Sequence, residues 1–421
     1  MKKTLLTICL TWMCFSLSAQ KIIDLSGKWS FSIDRQDNGE KEKWFSHTLN
    51  DCINLPGSMP EKLKGDEVTA KTQWTGSLYD SSYYYNPYME KYRKEGNIKF
   101  PFFLTPDKHY VGAAWYQKEV NIPADWKGER ILLFLERPHI ETTVWVNGQK
   151  TGMQNSLCVP HQYDITRYVR PGKCTITIRV DNRIKEINVG PDSHSITDQT
   201  QGNWNGIVGR ICLQTTPKTY FDDIQIYPEP EQKLARVKVV IKGAGITKIK
   251  LSAESFNTDK KHIVPAIQQE IKLNKGVTET EMVLPMGNDM LLWDEFHPAL
   301  YKLKAEVTNG KKTEIKEIQF GMRRFEIKGK WFYVNGRKTQ LRGTVENCDF
   351  PLTGYAPMDV ESWERVFRIC RSYGLNHMRF HSFCPPEAAF IAADRVGFYL
   401  QPEGPSWPNH DPKLGLGQPI D

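Results

Sequence analysis

No two cysteines of this chain stand in a C-x-x-C spacing, and the seven that lie beyond residue 50 are an odd number. That argues against a zinc site and against a disulfide scaffold. Most of them sit in strand or helix patterns, where a free thiol behaves as a small buried hydrophobe. Beyond residue 17 no apolar run is long enough to cross a bilayer. Neither sign of charge is segregated: 56 Lys and Arg are interspersed with 49 Asp and Glu. A nucleic-acid surface would gather its basic residues on one face, so a mixed solvated surface and no nucleic-acid partner are expected.

What is present is aromatic and apolar. With 12 Trp, 17 Tyr and 19 Phe in 421 residues, the chain has material for two to four domains, each with its own core. It starts with Lys2 and Lys3, runs apolar from Leu5 to Leu17 and breaks at Ser18-Ala19-Gln20. That reads as a signal peptide over 1–19, with a secreted or periplasmic product and no stable membrane insertion after cleavage. Cys14 lacks a small residue ahead of it, which argues against a lipid anchor.

From Ile22 to about Pro217 no helical period intrudes. Ile131–Leu135 and Thr142–Val146 read as strands, the second closed by Asn147-Gly148, a strong hairpin signal. Cys174, Ile176, Ile178 and Val180 alternate with Thr175, Thr177 and Arg179, which predicts one buried and one wet face. A β jelly-roll sandwich over 20–218 is expected. Leu78–Phe103 is an irregular insertion rich in tyrosine: Tyr79, Tyr83, Tyr84, Tyr85, Tyr88 and Tyr92. Such rings either stack on sugar faces or pin the loop by packing.

A second β block over 219–323, with the turn at Asn309-Gly310, fits an immunoglobulin-like β-sandwich without paired cysteines. The period then changes. Val360, Trp363, Val366, Phe367 and Cys370 recur at helical spacing between Asp359, a capping residue, and Gly374. A second helix follows Pro385-Pro386 and ends at Gly397. Strands alternating with helices predict a parallel sheet, and polar residues at each strand exit suit the floor of a (β/α)8 barrel site. Three strands cannot close eight, so an incomplete barrel over 324–421 is expected. Phe332, Val345, Met378, Phe380 and Tyr399 would then lack cover.

Phe320-Gly321-Met322-Arg323-Arg324-Phe325, Val334-Asn335-Gly336-Arg337, Leu341-Arg342-Gly343 and Asn376-His377-Met378-Arg379-Phe380-His381-Ser382 carry a resemblance. So do Ala114-Trp115-Tyr116-Gln117-Lys118, Val144-Trp145-Val146-Asn147-Gly148, Gly202 to Arg210 and Leu292-Trp293 to Tyr301. In order and spacing they resemble glycoside hydrolase family 2, the β-galactosidase, β-glucuronidase and β-mannosidase group. The resemblance implies a retaining glycosidase acting on a β-linked glycan, with an N-terminal sugar-binding domain. A non-catalytic carbohydrate-binding protein is the alternative.

Such hydrolysis needs two carboxyl groups. In the family resembled they are glutamates on later barrel strands, the acid/base following an Asn. This chain has no Asn-Glu pair, and Glu346-Asn347 is the reverse order, so no catalytic residue is assigned. The expected substrate-binding residues are Asn347 and Asp349 after the first strand, Arg379 and His381 at the exit of the second, and Glu403 and Trp407 after the third. Arg379 and His381 lie two apart and so point the same way, as hydrogen-bond donors to sugar or as members of a network with Glu403 and Asp349. Family members read Arg-Thr-Ser-His where this chain has Arg379-Phe380-His381-Ser382, so the histidine is displaced. The acidic set is too sparse for magnesium, and no metal or cofactor is expected. Trp407 offers a stacking platform. Trp204 is expected to pack on the first sandwich, with Asp198 a lesser candidate for the pocket.

Overall fold

The computed structural model describes residues 20–76, 81–101, 105–185 and 193–404. The segment 1–19, Tyr79 and Trp407 lie outside the described residues. Among those described, no helix is long and apolar enough to cross a membrane.

Two antiparallel sheets make the first domain. One orders Ile22–Asp24, Gly206–Thr216, Arg130–Pro138 and His161–Asp164. The other orders Gln149–Asn155, Glu141–Val146, Gly172–Asp181, Ala113–Ile122, Gly27–Asp34 and Asp51–Leu55. Trp29, Phe31, Tyr116, Leu133, Ile178 and Leu213 fill the space between them. At the expected hairpin Asn147 and Gly148 both take positive φ, 49° and 76°, the turn whose twist matches the strands it joins.

The predicted wet face of Gly172–Asp181 is instead covered. Thr177 and Arg179 are buried, because the chain from 37 to 49 crosses that face. Arg179 donates to Asp37 at 2.7 Å, Gln117 Nε2 donates to the His47 carbonyl at 3.0 Å, and Leu49 packs with Trp115 and Trp145. Alternation identifies the face that meets the main core; it says nothing of a later segment folding over the other. The tyrosine-rich insertion carries a short helix, Ser82–Tyr85, and a 3-10 turn, Pro87–Tyr92. Tyr83 is buried there, stacked on Phe100 at 4.4 Å, while Tyr85 and Tyr88 face solvent.

The second domain is built on a long ribbon, Leu234–Phe256 against Ile263–Pro285. Its first half pairs with Tyr220–Glu229 and its second half with Leu300–Asn309. Register shifts at Gly243/Gly245 and Leu251/Ala253 interrupt the ribbon, and such irregularities let one strand turn a sandwich corner and serve both layers. Val237, Val239, Leu251, Leu303 and Ala305 meet inside.

In the third block Gly343–Glu346, His377–Phe380 and Tyr399–Gln401 pair in parallel and in chain order. Helices Val360–Ser372 and Glu387–Val396 connect them. Asp359 caps the first helix, its carboxylate accepting from the Ser362 amide at 2.7 Å, and Gly374 follows it at φ 78°. Asp359→Ala is expected to cost about 1 kcal/mol, read by faster amide exchange in the first helical turn. Of the five apolar side chains expected to lack cover, only Phe332 and Val345 are exposed. Met378 and Phe380 are buried against Trp363, Phe367 and Ala389 of the two helices, and Tyr399 against Trp293 of the second domain. The helices within this chain and the preceding sandwich provide the cover.

Candidate functional site

Because Met378 and Phe380 face the helices, Arg379 and His381 emerge on the opposite face of the sheet, as their spacing predicts. Arg379 Nε donates to Glu403 Oε1 at 2.5 Å, and the other Glu403 oxygen accepts from the Ser382 amide at 2.8 Å. Partial burial pushes the Glu403 carboxyl up, but the Ser382 amide, Arg379 and His381 outweigh it and hold the group below its ordinary value. The expected network between Arg379 and Glu403 is therefore present. It occupies one edge of the guanidinium fork.

Asp349 lies beyond the first strand, after a buried Cys348 at φ 63°. Its carboxyl is raised, first by desolvation and then by Glu346, with His381 opposing. A raised carboxyl beside an imidazole suits exchange of hydrogen bonds with sugar hydroxyls. Asn347 is exposed, and its carbonyl accepts from Gln201 Nε2 at 3.1 Å.

The first domain supplies residues that the sequence reading did not place here. The His194 ring meets the His381 ring edge-on at 4.8 Å, and burial, then His381, keeps the His194 imidazole below its ordinary pKa. Ser195 Oγ donates to the Ser382 carbonyl at 2.7 Å. No periodicity marks this stretch; its only signal was proximity to the Gly202-Asn203-Trp204 motif. Trp204 does not merely pack on its own sandwich. It stacks on His139 at 4.4 Å and touches Tyr355 of the third block at 5.7 Å, so it sits in the seam. Asp198 is directed elsewhere: it is buried, accepts from the amides of Thr75 and Asn203, and lies 3.0 Å from His109 Nε2.

A further cleft of about 1510 Å3 runs along this seam, lined among others by Phe134, Glu136, Arg210, Phe350, Glu387 and Phe390. None of Asn347, Asp349, Arg379, His381 and Glu403 lines it. The cleft has charged groups of its own, Glu136, Arg210 and Glu387 among them, but none of the residues expected from the sequence to bind substrate.

Two β-sandwiches thus stand ahead of a parallel block whose strand exits carry acidic, basic and imidazole groups. Residues 22–217 match the family model for the glycosyl hydrolases family 2 sugar binding domain, and residues 219–323 match a second described as glycosyl hydrolases family 2. The chain belongs to glycoside hydrolase family 2. It is similar to a β-galactosidase of Thermoanaerobacter pseudethanolicus, 24% identical over 330 residues, covering 74% of this chain and 42% of that protein. It is similar also to human β-glucuronidase, 23% identical over 420 residues, covering 91% of this chain and 57% of that one. Among solved structures, a family 2 member from Bacteroides cellulosilyticus aligns with a TM-score of 0.67 at 19% identity, over 91% of this chain and 46% of that chain. A Ruminococcus gnavus β-glucuronidase in complex with D-glucuronic acid aligns at 0.65 and 19%, over 92% and 60%. The chain thus spans 42% and 57% of the two curated relatives.

Proposed function

We propose that this chain is the N-terminal portion of an exported, retaining β-glycosidase and that it contributes one side of the sugar pocket. The parallel block is read as the opening strands of a (β/α)8 barrel, in which chemistry gathers at the C-terminal strand ends. The observation that carries the reading is the meeting of Arg379, His381 and Glu403 at those ends, with Asp349 within electrostatic reach and His194 added from the first domain. Donors and acceptors of mixed charge around a half-open site suit a glycan. The share of its relatives that the chain spans, and the lack of an Asn-Glu pair, support placing both catalytic carboxyl groups outside it. The Lys2-Lys3 start and the small residue at Ala19 support export.

The test is turnover of aryl β-galactosides and β-glucuronides by this chain and by a version extended through eight barrel strands. The extended protein is expected to cleave one of them with retention at the anomeric carbon, and this chain to cleave neither. Turnover by the 421-residue chain would refute the assignment of the catalytic pair.

A further inference from the structure

Gln201 of the first domain reaches two strand exits of the third block at once. Its Nε2 carries two hydrogens and donates to the carbonyl oxygens of Asn347, at 3.1 Å, and His381, at 2.7 Å. These carbonyls follow neighbouring parallel strands, Gly343–Glu346 and His377–Phe380. Each also precedes a buried non-glycine residue with positive φ: Cys348 at 63° and Ser382 at 54°. Contact between Cβ and carbonyl oxygen disfavours that conformation, so it persists where neighbours hold it. At the first turn the Cys348 amide donates to Glu346 Oε1 at 2.8 Å; at the second the Ser382 carbonyl accepts from Ser195 Oγ. Within the block the His381 amide donates to the Glu346 carbonyl at 2.9 Å; from the first domain Gln201 bonds to both turns. Asp349 and His381 take their directions from these turns.

We propose that Gln201 is a positioning residue, whose amide extends the pairing of the first two strands beyond the His381–Glu346 backbone bond and thereby fixes the placement of Asp349 relative to His381. It acts through backbone carbonyls. The proposal rests on the glycan-pocket reading for its purpose, though its geometry can be tested without any glycan.

The experiment uses the 421-residue chain with Gln201→Met, which keeps length and apolar bulk but removes both donors, and Gln201→Asn, which is one methylene too short to span both carbonyls. Three quantities are measured: imidazole NMR signals, the thermal midpoint, and the Kd of phenyl β-D-galactoside and phenyl β-D-glucuronide. In both variants the His381 and His194 ring signals are expected to move while those of His161, inside the first domain, stay. The Kd of whichever glycoside the unaltered chain binds should rise about tenfold, and the thermal midpoint of Q201M should stay near that of the unaltered protein. Ring signals that coincide with the unaltered protein's in both variants would overturn the proposal, as would an unchanged Kd beside shifted rings. If Met is not accommodated, the Asn variant gives the same reading. Shifted rings in a chain that binds neither glycoside would uphold the positioning role and remove the pocket reading instead.

Discussion

Lowering the pH from 7 to 4.5 is expected to remove on the order of 4–5 kcal/mol of folding stability, much of what a domain of this kind possesses. Two buried histidines are responsible. Burial, and then the charge of Arg137, depress the His139 pKa from 6.5 to about 3, against a hydrogen bond with Asn203. Burial depresses that of His161 to about 4, against the Ser156 carbonyl. The unfolded chain takes up both protons near pH 6.5, whereas the folded chain refuses them until about pH 4 and then about pH 3. The unfolded state therefore binds more protons throughout this window, so the stabilisation is complete above pH 6.5 and is lost as the pH falls. Urea titrations at pH 7.0 and 4.5 measure it. His161→Gln should flatten the dependence by roughly half, and a flat profile in the unaltered chain would show that these imidazoles are charged within the fold.

In the extended version proposed above, His381→Ala is expected to lower kcat/KM between about tenfold and a hundredfold, since leaving a buried sugar hydroxyl unpaired costs roughly 1–3 kcal/mol. The thermal midpoint should barely move, because the described interactions of the His381 side chain are with another ring, His194, and with the fields of Asp349 and Glu403. Arg379→Ala should produce a loss of similar size together with a small drop in midpoint, as the Glu403 carboxylate then keeps, among the described residues, one hydrogen-bond donor, the Ser382 amide. Full activity in the folded His381 variant would remove that residue from the pocket.

The parts of the fold legible in the sequence were those whose cause is local. Asn147-Gly148 needs no partner to favour its turn, Asp359 caps its helix with its own side chain, and Gly374 and Gly397 mark helix ends by backbone preference. The two-residue spacing of Arg379 and His381 likewise fixed their common face. What was not legible depends on contacts between distant stretches. Nothing near Thr177 or Arg179 announces that residues 37–49 will cover them. The candidate site was half legible for the same reason: its third-block residues follow strand exits, whereas His194, Ser195 and Gln201 belong to an aperiodic stretch of another domain. Asp198 illustrates the converse: it lies in that stretch, yet His109 and the Thr75 amide hold it away from the strand exits.

The seam between the first domain and the third block also has a direction in time. Ser58 Oγ donates to the Thr353 carbonyl, Arg137 to the Cys384 carbonyl and Gln201 to Asn347 and His381, so at these points the donor precedes the acceptor in the chain, whereas Tyr355 Oη donates back to Glu61. During synthesis, which proceeds from the N-terminus, the sandwich is complete before the parallel strands leave the ribosome. The later strands then emerge beside a finished surface of donors and an acceptor, Glu61. The first domain can thus serve as a mould on which the nascent parallel strands take up their register.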